Sequence, residues 1–331
     1  MARHTSFVGA GLLVSLLAGH PSSVLAQTDP LLTRLVSSDP KKFQGELDRA
    51  VADGYRLVGG DASIDVAIFE RADDGVRRSY LFADNVDKFL KAQKLPPGYR
   101  LVPSTFGGDL AWFGAIFEHV DGDDRQRAYR FVKAGSTGGI RKKLVDEGAA
   151  RGALVLAVAG GGDGVAVILE DSSGVSELAV VASGTGSLGR EISAAASKGL
   201  CIVDSDGIRG AVFVLQGCAS GQSAPVYHAI ATTKTDTFEN ELNAAAAKGQ
   251  RFVPASLIGV EKKLLMTPVS SEIVGLMETT AAAGPQPSYR VLATVRLGTL
   301  AKELEDSAKA GFRLVAFTIG SNESLMVLEK R

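Results

Sequence analysis

The residues best placed to do chemistry gather in one stretch. Gly184-Thr-Gly186-Ser-Leu-Gly189 fits the pattern G-x-G-x-x-G, and Asp204 follows Gly184 by twenty residues. In a dinucleotide-binding fold such glycines bring backbone close to a pyrophosphate at a helix N-terminus, and the acid holds the ribose. The two cysteines of the chain, Cys201 and Cys218, flank that acid. Asp121-Gly122-Asp123-Asp124 offers carboxylates to calcium but lacks the ligand spacing that continues an EF-hand loop. Gly160-Gly161-Gly162-Asp163-Gly164 joins two apolar runs and reads as a hairpin loop. Beyond the first 26 residues only His119 and His228 occur, neither in a spacing that holds a metal. No serine lies in a nucleophile elbow. The sequence therefore assigns no catalytic residue, no metal ligand and no cofactor.

The elements that would position these residues are copies of one unit. Six times, a Leu-, Ala-, Lys- and Glu-rich helical stretch ends near a glycine: Gly54, Gly98, Gly152, Gly199, Gly249 and Gly311. A short apolar strand follows, then a second one. The second ends as Ile68-Phe69-Glu70, Ile116-Phe117-Glu118, Ile168-Leu169-Glu170, Val214-Leu215-Gln216, Leu276-Met277-Glu278 and Val327-Leu328-Glu329. Self-similarity of this kind marks tandem copies of one supersecondary unit. A strand precedes each helix, so the order is β-α-β-β, with units near 31–71, 78–118, 127–170, 176–216, 226–278 and 288–329. Helices are expected over 41–53, 86–95, 138–150, 187–198, 237–248 and 297–310. The fifth unit carries an insert around 257–271. Asp73-Asp74-Gly75, Asp121–Asp124 and Asp171-Ser172-Ser173-Gly174 read as hairpin turns between successive units. The fold class is α+β: six tandem repeats in one pseudosymmetric assembly. A closed α-β propeller-like ring and a row of paired units both fit the count, and the strand that opens the chain suits the ring.

The repeat weakens the glycine motif as a cofactor site. The same turn reads Ser38-Asp39-Pro40, Asp84-Asn85-Val86 or Lys234-Thr235-Asp236 in other units, so Gly184, Gly186, Gly189 and Asp204 are expected to be structural. The run Leu242-Asn-Ala-Ala-Ala-Ala-Lys-Gly249-Gln-Arg-Phe-Val253 resembles a small bacterial β-α-β-β domain of unknown function. The cyclic order of three strands and one helix is similar to the α-β propellers of the pentein superfamily. Those usually have five units, and their enzymes use a Cys, a His and acidic residues, a set with no match here.

Two residues after the glycine, units one, two, five and six place Arg56, Arg100, Arg251 and Arg313. Each of those units also has the strand-end glutamate, and the two positions suit a cross-strand ion pair. A ring of Glu70, Glu118, Glu170, Glu278 and Glu329 binding a cation or a basic partner is the competing reading. In unit four Cys201 takes the arginine position and Cys218 lies two residues past Gln216. A Cys201–Cys218 disulfide across that hairpin is expected; two free buried thiols are the alternative.

Residues 1–26 read as a signal peptide: Arg3, an apolar stretch from Phe7 to Ala18, and Val24-Leu25-Ala26 at the cleavage site. Residues 27–331 form the repeat domain, periplasmic or extracellular, where disulfides persist. No later segment is apolar for long enough to span a bilayer. Over the whole chain 36 basic and 37 acidic residues nearly cancel, and no basic patch points to nucleic acid. The expected function is a non-catalytic repeat protein binding a protein, glycan or envelope component. An enzyme with a site between units, or a purely structural envelope protein, are the alternatives.

Overall fold

The computed structural model describes residues 33–92, 95–109, 112–146, 152–161, 164–172, 177–207, 210–219, 223–264, 267–279, 285–294, 296–319 and 323–331. The expected signal peptide lies outside them. The described chain is α+β, with six helices and six small antiparallel sheets of three or four strands. Unit one is β1 (Thr33–Ser37), α1 (Pro40–Ala52), β2 (Tyr55–Asp61) and β3 (Val66–Arg71). Unit two is β4 (Arg78–Ala83), α2 (Val86–Ala92), β5 (Tyr99–Leu101), β6 (Gly107–Asp109) and β7 (Trp112–Val120). Unit three is β8 (Tyr129–Ala134), α3 (Thr137–Leu144), β9 (Ala153–Gly161) and β10 (Gly164–Asp171). Unit four is β11 (Leu178–Ser183), α4 (Thr185–Ala196), β12 (Leu200–Asp206) and β13 (Ala211–Gly217). Unit five is β14 (Tyr227–Thr232), α5 (Thr235–Ala246), β15 (Gln250–Phe252), β16 (Ile258–Leu264) and β17 (Thr267–Thr279). Unit six is β18 (Ser288–Thr294), α6 (Leu297–Lys309), β19 (Arg313–Ile319) and β20 (Ser324–Lys330).

Each unit forms its own sheet with the last strand in the middle, as in the order β1-β3-β2. The helix joins two strands that run the same way, and the third lies antiparallel between them. Local sequence explains the helix. In α1, Phe43, Leu47 and Ala50 share one face and are buried, each large side chain contributing about 1.5–3 kcal/mol. Asp39 caps the start by accepting from Lys41 N at 3.1 Å. The six glycines all take positive φ, between 61° and 86°, which a side chain would oppose.

The units pack in sequence. Helix α1 lies on β4, α2 on β8, α3 on β11, α4 on β14, α5 on β18, and α6 on β1. On the opposite edge β9 meets β12 and β19 meets β2. Units two and five join that layer through 3-10 turns, Pro103–Thr105 against β2 and β9, and Pro254–Ser256 against β12 and β19. Unit six thus touches unit one as well as unit five. The apolar core crosses that boundary too, where Ile68 packs with Leu300, Leu304, Met326 and Leu328.

Two expectations need correction. The acidic turns do not make hairpins: Asp73–Gly75 and Asp121–Asp124 pass from one sheet to the next, because each first strand pairs with the last strand of its own unit. Residues 93–94 and 147–150, at the expected ends of α2 and α3, lie outside the described residues. The second strand is interrupted in units two and five, since Pro103 and Pro254 cannot donate to a ladder. There Thr105 and Ser256 substitute a hydroxyl: Ile116 N donates to Thr105 Oγ1 at 3.0 Å and Leu276 N to Ser256 Oγ at 2.8 Å.

Candidate functional site

The polar side chains that recur in the repeat meet where one unit joins the next. Arg56 lies directly opposite Glu70, Arg100 opposite Glu118, Arg251 opposite Glu278 and Arg313 opposite Glu329. Arg56 donates twice to Glu70. Arg100 Nη2 lies 2.6 Å from Glu118, and Arg78 reaches the same carboxylate at 3.5 Å. Arg127 stands 3.6 Å from Glu170, and Arg331 pairs with Glu329. Two of the four expected pairs, Arg56–Glu70 and Arg100–Glu118, thus form, while Glu170 and Glu329 meet Arg127 and Arg331, which lie outside the expected set.

On the other side of four of the five glutamates stands a tyrosine that sequence reasoning missed, while Glu70 faces Thr33. Tyr80, Tyr129, Tyr227 and Tyr289 pair with Glu118, Glu170, Glu278 and Glu329. Each hydroxyl crosses into the preceding unit and accepts a backbone N–H, from Leu57 at 2.9 Å, Leu101 at 3.2 Å, Ile202 at 3.2 Å and Phe252 at 3.0 Å. All four donors sit three residues after the helix-ending glycine. Tyr80 also donates to Glu118 at 3.1 Å. Burial pushes the Tyr129 and Tyr289 hydroxyls up to about 12, so they remain protonated. The signal was available: a tyrosine lies within the first three residues of four of the six first strands.

Unit four lacks this tyrosine, having Leu178 opposite Gln216. Gln216 makes the link itself. Its Oε1 accepts from Val155 N at 3.1 Å and its Nε2 donates to Ala153 O at 2.9 Å. Val155 is again third after the glycine. Cys201, across the ladder from Gln216, is disulfide-bonded to Cys218 as expected.

Helix side chains join the units a second time. Gln44 of α1 donates to Tyr80 O at 2.9 Å and accepts from Phe82 N at 2.8 Å. Asn243 of α5 bonds both N and O of Tyr289, at 2.8 and 2.9 Å. These bonds satisfy the free edge of the next first strand.

The residues of the glycine motif are not gathered around one space. Gly184 precedes α4, and Gly186 and Gly189 lie in its first turns. Asp204 is on β12, separated from β11 by β13. Its carboxylate turns to unit three and accepts from Val158 N at 2.7 Å. Burial raises the pKa of its carboxyl to about 8, and the charge of Asp206 adds to the effect. In the Asp121–Asp124 turn, Asp123 is held by Arg125 and Arg127, which keep its carboxyl well below the usual range. His119 lies against Tyr99 with the rings tilted and their centres 5.3 Å apart, and His228 is exposed on β14. Residues 162 and 163 of the second glycine cluster lie outside the described residues. Among the described residues no group of three or more metal-ligating side chains converges, and no helix is long and apolar enough to cross a membrane. Compared with models of known protein families and with curated proteins, the chain matches none.

Proposed function

We propose that this chain is a secreted, non-catalytic scaffold whose six units close into an α-β propeller-like ring and bind a protein, glycan or envelope component. The observation that carries the reading is the use of the recurring polar residues. The strand-end glutamates, their arginines, the tyrosines and Gln216 join strand to strand and unit to unit, where an enzyme would aim such groups at a substrate. Contacts of α6 with β1 and of β19 with β2 support ring closure. The disulfide suits an oxidising compartment, in line with the signal-like N-terminus. Unit five alone carries an insertion, the long β16–β17 hairpin. Insertions in one repeat often lie on the binding face of repeat proteins.

A thermal-shift panel on residues 27–331 tests this, with NAD, FAD, divalent metals, glycans and peptidoglycan fragments as probes. The scaffold reading expects no shift with dinucleotides or metals. A shift with NAD or FAD that Gly186→Val abolishes would make the chain an enzyme candidate and overturn it.

A further inference from the structure

Three arginines meet a strand-end glutamate through the same nitrogen, and only two of them meet an aspartate as well. Arg78, Arg127 and Arg331 each turn Nε to the glutamate of their own unit, Glu118, Glu170 and Glu329. In units two and three the Nη groups then grip an aspartate of the preceding linker. Arg78 takes both oxygens of Asp74, at 3.0 and 2.6 Å, and Arg127 holds Asp123 at 2.7 Å. Each aspartate stands six residues before the tyrosine of its unit, Tyr80 or Tyr129. The sixth residue before Tyr289 is Ala283, which lies outside the described residues, and no residue from 279 to 288 is charged. Among the described residues the Nη groups of Arg331 hold no carboxylate.

The rest of the arrangement is repeated. The row Tyr80, Glu118, Arg100 recurs as Tyr289, Glu329, Arg313. Arg56 comes from unit one and stands 3.9 Å from Asp74. Its counterpart Arg251 comes from unit five, next to Phe252, whose N–H binds the Tyr289 hydroxyl. Arg78 lies opposite Val120, two residues past Glu118, and Arg331 is two residues past Glu329, so both reach the same corner from facing strands. Arg251 and Arg313 make no ion pair with a described residue, and neither does Glu278, across the ladder from Arg251. Arg313 and Arg331 are exposed and Arg251 is half-buried. A guanidinium fork grips a carboxylate with two parallel bonds, and at this corner only the carboxylate is missing.

We propose that the boundary between units five and six docks an aspartate of a partner protein, whose carboxylate takes the place between Arg251 and Arg331 that Asp74 takes between Arg56 and Arg78. The proposal rests on the scaffold reading above and names the chemistry of its partner. The resident carboxylates show which source fits. Both belong to aspartates in turns, and each also accepts the backbone N–H two residues on, from Val76 at 3.0 Å and from Arg125 at 3.1 Å. A turn in a partner protein brings the carboxylate already held by its own backbone, whereas a sugar acid brings the carboxylate alone.

The probe is acetyl-Asp-Asp-Gly-Val-amide, the sequence of residues 73–76, titrated into the isotope-labelled protein at low salt while NMR follows the arginine Nε–Hε signals. Those of Arg251 and Arg331 should shift saturably, and those of Arg56 and Arg78 should not, because Asp74 already fills their site. Arg251→Gln and Arg331→Gln should each weaken binding at least about tenfold, and acetyl-Asn-Asn-Gly-Val-amide should not bind. No saturable shift at either arginine, or an equal response to the Asn-Asn peptide, would overturn the site. Saturation of both arginines by an oligogalacturonate, where the peptide leaves them unmoved, would overturn the protein partner. Any of these failures leaves the scaffold reading standing, since that reading falls on the NAD or FAD shift described above.

Discussion

The repeat invites a substitution that the structure forbids. Five units end their last strand in glutamate, and a designer reading the pattern would write Gln216→Glu. Gln216 is 4% exposed and uses both ends of its amide, accepting from Val155 N and donating to Ala153 O. A carboxylate keeps the first bond and loses the second, setting a charged oxygen against a carbonyl oxygen. The cation that answers glutamate in other units is absent, because Cys201 stands across the ladder. The orphaned carbonyl costs about 1–3 kcal/mol, and the buried, unanswered charge raises the total to about 2–4 kcal/mol at neutral pH. For a chain of this size that lowers the melting temperature by about 5–10 °C. Protonation restores a donor toward Ala153 O, so the glutamate's folded pKa lies above its unfolded one. Its penalty is then smallest in acid and grows as pH rises through that folded value. Circular-dichroism melts of wild type and Gln216→Glu at about pH 4.5 and pH 7.5 give both numbers. Equal stability at neutral pH, or a deficit that widens in acid, would refute the assignment of Gln216 as the link between units three and four.

Other positions give separate checks. Tyr289→Phe strips Phe252 N–H of its acceptor and should cost about 1–3 kcal/mol in urea denaturation. Gly54 and Gly98 share a positive φ, but a methyl group at Gly98 would meet Asp123 O at 1.9 Å while Gly54 faces open space. Gly54→Ala should cost about 1–2 kcal/mol and Gly98→Ala clearly more, read as the difference in melting temperature. The disulfide joins residues 17 apart. Cys201→Ser with Cys218→Ser should lower stability by about 3 kcal/mol, an effect that reducing the wild type reproduces.

Much of one unit could be read from sequence, because its signals are local. The glycine after each helix needs a positive φ, and all six show it. The arginine two residues on lies directly across from the strand-end glutamate, since the hairpin register fixes both. The same register brings Cys201 within reach of Cys218. What escaped the reading depends on neighbours. Tyr80 looks like an ordinary strand residue until unit one is packed beside it and Leu57 N–H needs an acceptor. Gln216 looks like a lapse in the pattern until the missing tyrosine at Leu178 is noticed. The acidic turns were misread because turn residues fix the bend and leave open which strand becomes the partner. Asp204 drew notice for its spacing from Gly184, yet its bond is to Val158 of the preceding unit.

Ring closure is the central claim, and the distance between the first and last units tests it most directly. Gly45, Asn240 and Lys302 each stand nine residues before the helix-ending glycine, on exposed positions of α1, α5 and α6. Spin labels at 240 and 302 report the spacing of adjacent units, and labels at 302 and 45 span the join between unit six and unit one. Pulsed dipolar spectroscopy on a closed ring should give the same distance for both pairs. A 302–45 distance several times the 240–302 distance would mean an open row, and would contradict the account.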